Sequence, residues 1–248
     1  MTESLAGVTH RIGYLSPDRL VHNGPYEFYR LAPDNVLMLY IAMGVDELTA
    51  RHVEDAYGEV DALVRLLKER NANILVQGGV PLPLATGRAF HDALLRRMTQ
   101  VSGLPSTSTV ECVIDALHGL GLKKVVVANK WSDALNQTMA DEFFGPAGVE
   151  VVGVSNRELS PTTFRTFTSE DSVALALDLA RAGFEAHPEA DGLYIGGGSW
   201  LATKIVPLLE DRFGKPVITN TLSCTWSLCR RLGIWQAKSG YGTLINTP

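Results

Sequence analysis

ILVQGGVP at residues 74–81 and LYIGGGSW at residues 193–200 are the two segments from which the architecture of this chain can be predicted. Each is a short apolar run that ends in glycines. This pattern is typical of a buried parallel strand that delivers backbone to a cleft at its carboxyl end. Amphipathic helices with apolar residues at three- and four-residue spacing, as in residues 60–67, alternate with such strands. The sequence therefore predicts an α/β protein with parallel sheet covered by helices.

The order of the elements is strand then helix along most of the chain. Predicted strands cover residues 12–15, 36–41, 74–77, 125–128, 149–154, 192–195 and 217–219. Predicted helices cover residues 49–70, 87–101, 110–120, 132–144, 169–186, 201–213 and 223–232. The helix, strand, glycine and helix order around the first segment is repeated around the second, roughly half a chain later. We therefore expect two pseudo-symmetric α/β lobes, each with a parallel sheet flanked by helices, and an active site in the cleft between them.

The expected lobes are formed by residues 1–115 with 221–248, and by residues 116–220.

The amino-acid composition excludes some classes of partner and of site. A net charge of -5 without a Lys/Arg stripe argues against a nucleic-acid partner, and no apolar stretch is long enough to predict a membrane span. Three cysteines without metal-ligand spacing, and a start without a basic, apolar leader, predict a reduced, cytoplasmic protein with no metal site. No zinc, haem or flavin signature is present, so we expect no cofactor.

Glycines after a strand have two common explanations. They let backbone approach an anionic ligand at the start of the next helix, or they relieve crowding where strand meets helix. The repetition at matching places favours the ligand explanation. Neither segment has the G-x-G-x-x-G spacing or the P-loop lysine and hydroxyl that nucleotide binding uses.

The two glycine-ended segments and several further stretches together resemble a known protein family. The chain resembles the aspartate/glutamate racemase superfamily, closest to its arylmalonate decarboxylase and maleate isomerase branch. The stretches that carry the resemblance are residues 12–17, 74–90, 103–105, 117–124, 190–193, 207–217 and 240–242. The resemblance implies two pseudo-symmetric lobes and a small carboxylic acid as substrate.

The departures from the family pattern lie at its reactive positions. Racemases and maleate isomerases of this type place a cysteine after each glycine-ended strand, and decarboxylases keep only the second, which protonates a carbanion. By the resemblance these positions are Gly79 and Gly197 here. Val80 and Pro81 stand where a decarboxylase has hydroxyls that hold the carboxylate, and Trp131 stands where it has a tyrosine. Two-base racemisation and cysteine-adduct isomerisation are therefore not expected.

Three residues are candidates for the missing catalytic groups. Cys224 opens a helix, where the dipole favours a thiolate, although a buried cysteine is also a common apolar core residue. Asp46 and Glu47 follow a strand in a loop that lines the pocket in the family, and a carboxyl group in an apolar pocket can transfer protons. Acids at a solvated helix start have the same sequence pattern.

The expected substrate-binding residues follow from the strand ends and from the resemblance together. At the strand ends, Lys130 is suited to hold an anion if it is not solvent-exposed, Trp131 to stack on an apolar ligand, and Ser199 to bind a carboxylate. The full set is Pro17, Gly78, Gly79, Val80, Asn129, Trp131, Gly197, Gly198 and Ser199.

The functional hypothesis is a cofactor-independent enzyme that acts on a small carboxylic acid by C–C cleavage or isomerisation through an enediolate-like intermediate. One alternative is a hydrolase or hydratase in which Asp46 or Glu47 activates water. Another is a binder of small acids without catalysis. The partner expected in each case is a small carboxylate, and a homo-oligomer remains open.

Overall fold

A computed structural model describes residues 7–17, 23–164 and 166–248. Its eight strands form two four-stranded parallel sheets. The first sheet contains β1 His10–Ser16, β2 Val36–Ala42, β3 Ile74–Gln77 and β4 Ser106–Ser108. The second contains β5 Lys124–Asn129, β6 Glu150–Asn156, β7 Gly192–Ile195 and β8 Val217–Thr219. The predicted α/β fold with a parallel sheet in each of two lobes is confirmed.

The two sheets have the same topology. Their orders are β2-β1-β3-β4 and β6-β5-β7-β8, so each strand of one has a counterpart in the other. The two glycine-ended strands, β3 and β7, occupy equivalent interior places and are buried along their whole length. The carboxyl ends of parallel strands meet at one edge of a sheet, so equivalent glycines are delivered to equivalent positions in the two lobes.

Helices cover both sheets. They are α1 Asn23–Leu31, α2 Ala50–Ala56, α3 Val60–Glu69, α4 Pro81–Ser102, α5 Thr109–Gly119, α6 Asp133–Thr138, α7 Pro161–Phe164, α8 Ser169–Ala186, α9 Val206–Phe213 and α10 Asn220–Arg231. Although α10 follows the last strand of the second sheet, it packs against α5 and α1. This packing is compatible with the predicted lobe boundary near residue 220, which stays a prediction. None of the helices within the described residues combines the length and the apolar character needed to cross a bilayer.

Some predicted elements were wrong in detail. The predicted helix at residues 49–70 is two helices, because the chain turns at Tyr57–Glu59 around Gly58, whose N–H bonds to the Asp55 carbonyl. The helix predicted from residue 201 begins at Val206. The predicted helix 132–144 changes after Thr138 to a π-helical segment, Met139–Phe144. Strand β4 and helix α1 were not predicted.

Candidate active site

A cavity of about 460 Å³ lies where the carboxyl ends of the two sheets face each other. Residues at the ends of strands, or directly after them, contribute from both lobes. In the first lobe these include Ser16, Tyr40 and Gly79, and in the second Lys130 and Gly197. The position agrees with the general rule that parallel sheets bind ligands at the carboxyl ends of their strands.

Gly79 and Gly197 have equivalent hydrogen bonds. The Gly79 N–H donates to Thr109 Oγ1 at 3.2 Å, and the Gly197 N–H donates to Asn220 Oδ1 at 3.2 Å. Thr109 and Asn220 are the first residues of α5 and α10, each of which follows the strand beside the glycine. The pseudo-symmetry of the fold therefore extends into the hydrogen bonding of the site.

Both glycine positions exclude a side chain. Gly79 has a φ of 81°, and a Cβ atom there would lie 2.7 Å from Pro17 Cγ. Gly197 has a φ of 136°, and its Cβ would overlap the indole ring of Trp200. An L-residue with a side chain is strained at both φ values, so the absence of a reactive side chain is supported by the packing.

Hydrogen-bond donors converge around Gly197 at the second-lobe end of the cavity. Lys130 Nζ donates to Ser199 Oγ at 3.0 Å, and the lysine is only 9% exposed. Asn220 is buried, and its Nδ2 has no hydrogen-bond partner within the described residues. Because a buried amide donor without a partner costs free energy, Asn220 Nδ2 is suited to an acceptor on a ligand. We call Lys130, Ser199 and Asn220 the donor cluster.

The ammonium of Lys130 is packed against aromatic rings. Its Nζ lies 3.2 Å from the centroid of the Phe164 ring and 4.7 Å from that of Trp200. The negative faces of aromatic rings stabilise a cation. These contacts hold the ammonium at the cavity wall.

The remaining wall of the cavity is largely apolar. Its apolar side chains include Phe28, Leu48, Trp131, Leu159, Phe164 and Phe167. Such a wall is suited to an aliphatic or aromatic substituent, and it weakens the solvation of any charged group placed against it.

Seven of the twelve predicted site residues line this cavity. They are Pro17, Gly79, Trp131, Gly197, Gly198, Ser199 and Cys224. Cys224 is 6% exposed and lies in the first turns of α10. Its neighbour Cys112 is a buried thiol whose pKa is raised well above its usual range, first by the hydrogen bond with Cys224 and then by burial.

Three predicted binding residues lie behind the cavity wall. A Cβ at Gly78 would meet the ring of Tyr14, and Val80 is fully buried in the core. Asn129 is also fully buried, and its Oδ1 accepts a hydrogen bond from the Trp131 N–H at 2.9 Å. Asn129 therefore orients the backbone of a residue that lines the cavity.

The two predicted carboxyl catalysts also lie outside the cavity lining of the described chain. The side chain of Glu47 is 63% exposed, and its Oε2 lies 3.4 Å from His52 Nδ1. Asp46 is half-buried. The same loop instead contributes Val45 and Leu48 to the cavity, so its apolar side chains are the ones that face the ligand space.

Asn220 and Phe164 were not predicted as site residues. Asn220 directly follows β8, and a polar residue at the carboxyl end of a parallel strand is a signal that sequence reasoning can use. Phe164 belongs to a four-residue helix in a long connection, and nothing in its local sequence points to the cavity.

Two lobes of equal topology around a cleft define a fold that known proteins share. The sequence model of the family described as arylmalonate decarboxylase matches residues 22–245. The arylmalonate decarboxylase of Bordetella bronchiseptica is 27% identical over 227 residues, which cover 90% of this chain and 91% of the relative. The chain belongs to the arylmalonate decarboxylase family, a family of enzymes.

Solved structures agree with this assignment. A liganded variant of arylmalonate decarboxylase superposes with a TM-score of 0.84 at 26% identity, covering 95% of this chain and 98% of that one. Maleate isomerase from Pseudomonas putida S16, crystallised with maleate, gives a TM-score of 0.79 at 19% identity, covering 96% and 98%. The second likeness shows the fold alone. The predicted resemblance is confirmed, whereas the assignment of Gly79 and Gly197 to vacated cysteine positions stays a prediction.

Proposed function

We propose that this protein is a cofactor-independent decarboxylase of malonate-type dicarboxylic acids that carry an apolar substituent. The observation that carries the proposal is the division of one cavity into two parts. The donor cluster of Lys130, Ser199 and Asn220 lies at one end, and apolar side chains form most of the remaining wall within the described residues.

A cavity with hydrogen-bond donors at one end and apolar surface elsewhere suits a reaction in which a carbon that bears two carboxylates loses one of them. The donor cluster binds one carboxylate through Ser199 and Asn220, beside the positive charge of Lys130. The second carboxylate then lies against the apolar wall, where its charged form is poorly solvated, while neutral carbon dioxide is not penalised. As the C–C bond breaks, negative charge moves towards the retained carboxylate as an enediolate. Fixed donors stabilise this charge without reorganisation.

Family membership and the shape of the wall support this substrate class. The relative from Bordetella bronchiseptica is named for arylmalonates. The rings of Phe28, Trp131 and Phe167 provide aromatic surface in the cavity of this chain. We therefore expect aryl-substituted malonates to be better substrates than malonate itself.

The hydrolase or hydratase alternative has less support. It needs Asp46 or Glu47 beside the substrate, whereas the Glu47 carboxylate is exposed and approaches His52. The non-catalytic binder has the same donor cluster and differs only in turnover, so a turnover assay separates it from the decarboxylase.

The test is carbon dioxide release from a panel of malonates with no substituent, with a methyl group, and with methyl and phenyl groups. We expect release that is fastest for the phenyl compound and unchanged after dialysis against a chelator. Phe167→Glu should slow turnover by placing a charge in the wall. Leu208→Glu, at a site 62% exposed on α9, is the matched control and should not. Folded protein that releases no carbon dioxide from any malonate would overturn the proposal.

A further inference from the structure

We propose that Asn23 is a positioning residue for the donor cluster, because it holds the backbone of Ser199 from the opposite side of the cleft. The inference rests on the proposed function, in which Ser199 binds the retained carboxylate. Asn23 is the first residue of α1, the helix between β1 and β2 of the first sheet. Ser199 follows β7, a strand of the second sheet. A bond between the two residues therefore joins the lobes.

The bond is a direct hydrogen bond to the main chain. Asn23 Nδ2 donates to the Ser199 carbonyl at 2.8 Å, and the two residues are 176 positions apart in the chain. Ser199 Oγ accepts a hydrogen bond from Lys130 Nζ at 3.0 Å. Residue 199 is thus held at its carbonyl from α1 and at its hydroxyl from the end of β5. Loss of the Asn23 amide removes a restraint on the backbone that carries this hydroxyl.

A second anchor, one turn along α1, fixes the helix that carries Asn23. Glu27 Oε1 accepts hydrogen bonds from the Thr203 N–H at 2.9 Å and from Thr203 Oγ1 at 2.6 Å. Residues i and i+4 of a helix lie on the same face. Asn23 and Glu27 therefore bind residues 199 and 203, in the loop between β7 and α9, from one face of α1. Because two anchors restrain the helix, Asn23 meets Ser199 from a fixed position.

Helix α1 also forms part of the cavity wall. Asn23, Gly24 and Phe28 line the cavity. A Cβ atom on Gly24 would lie 3.9 Å from both the Gly198 carbonyl oxygen and Tyr40 Oη, so the helix passes close to strand ends of both sheets. The hydrogen bond between the lobes therefore lies at the ligand space and not at a distant surface.

The position of the donors matters for the proposed reaction. As the C–C bond breaks, charge moves onto the retained carboxylate, and only donors that are already in place stabilise it without reorganisation. A displacement of about 1 Å can cost a factor of about 100 in rate. Stabilisation that is greater for the enediolate than for the bound substrate appears in kcat. Loss of the Asn23 amide should therefore lower kcat more than it raises KM.

The experiment combines Asn23→Leu with Ser199→Ala in a double-mutant cycle. Leucine keeps the branching of asparagine and carries no hydrogen-bond donor. The readouts are kcat and KM for methyl(phenyl)malonate. Asn23→Leu alone should lower kcat by about 10- to 100-fold. In the Ser199→Ala background the same substitution should change kcat by no more than about 2- to 3-fold, because the effects of residues that act as a unit do not add. An effect of leucine on the fit of the substrate would add in full.

Asn246→Leu is the matched control. Asn246 Nδ2 donates to the Gly242 carbonyl at 2.8 Å, so the bond has the same type and length, and Asn246 is not among the cavity-lining residues of the described chain. This variant should keep the wild-type kcat and KM. Asn23→Ala replaces Asn23→Leu in the cycle if the leucine variant does not fold.

The inference is overturned if Asn23→Leu or its alanine replacement keeps the wild-type kcat, if it lowers kcat equally with and without Ser199→Ala, or if Asn246→Leu loses as much activity. In each case the wild type still decarboxylates and the proposed function stands.

A wild type that releases no carbon dioxide removes the proposed function. The same cycle is then measured with Kd for 2-phenylpropanoate, a monocarboxylate with the same substituents. Asn23→Leu should raise this Kd by about 3-fold or more, the usual effect of one hydrogen bond, and should leave it unchanged in the Ser199→Ala background. This result would retain Asn23 as a positioning residue of a carboxylate site without decarboxylation. Equal changes in both backgrounds, or no change in either, would overturn that role as well.

Discussion

The indole of Trp200 occupies the space that a side chain on Gly197 would need. Trp200 Nε1 donates a hydrogen bond to the Gly196 carbonyl at 2.8 Å, which fixes the ring against the strand end. The ring also forms part of the aromatic surroundings of Lys130. The absence of a side chain at residue 197 and the placement of the lysine are thus parts of one structural arrangement.

Gly197→Cys should therefore destabilise the protein instead of creating a functional cysteine site. Overpacking against Trp200 and an unfavourable φ together should cost about 2–5 kcal/mol of the free energy of unfolding, measured by urea denaturation. Gly198→Ala is the matched control, because its Cβ would find only an ordinary contact 3.9 Å from Asn220 Nδ2. A Gly197→Cys protein as stable as the wild type would contradict this packing.

Asn220→Asp should weaken substrate binding. The carboxylate keeps the acceptor for the Gly197 N–H and for Tyr194 Oη, at 3.2 and 2.5 Å, but it loses the Nδ2 donor and adds a negative charge. We expect KM for a malonate to rise at least about 10-fold, which corresponds to about 1.4 kcal/mol. Asn136→Asp is the control, as a buried asparagine that is not among the cavity-lining residues of the described chain. Equal KM values for Asn220→Asp and the control would argue against a carboxylate at the donor cluster.

Glu27 should make stability fall as pH rises. This residue of α1 is 3% exposed, and its Oε1 accepts hydrogen bonds from the Thr203 N–H at 2.9 Å and Thr203 Oγ1 at 2.6 Å. Burial raises its pKa above the ordinary value of 4.5, despite these hydrogen bonds. Its contribution is thus fully present below the unfolded-state pKa and is lost as pH rises through the folded-state pKa.

Glu27→Gln removes this titration and keeps the acceptor oxygen. The difference in unfolding free energy between wild type and variant should shift in favour of the variant as the pH is raised from about 4.5. Urea titrations across this range provide the measurement. A difference that does not change with pH would show that Glu27 has the same pKa in the folded and unfolded states.

Glu111 should have the opposite pH dependence. Its pKa is lowered, first by the hydrogen bond with His91 and then by the charge of Arg88, against the effect of burial. Its contribution is present above the unfolded-state pKa and is lost as pH falls through the folded-state pKa. Glu111→Gln should cost about 1 kcal/mol near neutral pH and less below pH 4. The exposed control Glu69→Gln should cost little at either pH, and a Glu111→Gln cost that grows in acid would contradict the assignment.

Much of the fold could be predicted from the sequence because most residues of its buried strands β3, β7 and β8 are apolar. Strands β3, β7 and β8 have the predicted bounds. Strand β4 is Ser-Thr-Ser, and its polar side chains give no strand pattern, so only tertiary pairing with β3 defines it. Helix α1 contains Gly24 and Pro25 near its start. In the sequence alone, this Gly-Pro pair indicates a loop or β-turn instead of a helix.

For the site, the sequence predicted which strand ends contribute residues, but not which side chains face the cavity. Lys130, Ser199 and Asn220 follow three different strands, β5, β7 and β8, and a parallel sheet brings these ends together. Which side chain of each end faces the cavity depends on backbone direction. Asn129 points into the core, whereas its neighbour Lys130 points into the cavity. A local sequence pattern does not contain that information.

The most direct test of the account is to follow methyl(phenyl)malonate, labelled with ¹³C in its carboxyl groups, by NMR in deuterated water with the wild-type protein. The account predicts one labelled carbon dioxide for each substrate consumed, and the corresponding monoacid with one deuterium at Cα. Substrate that binds and remains intact would contradict the central claim that this cavity breaks a C–C bond.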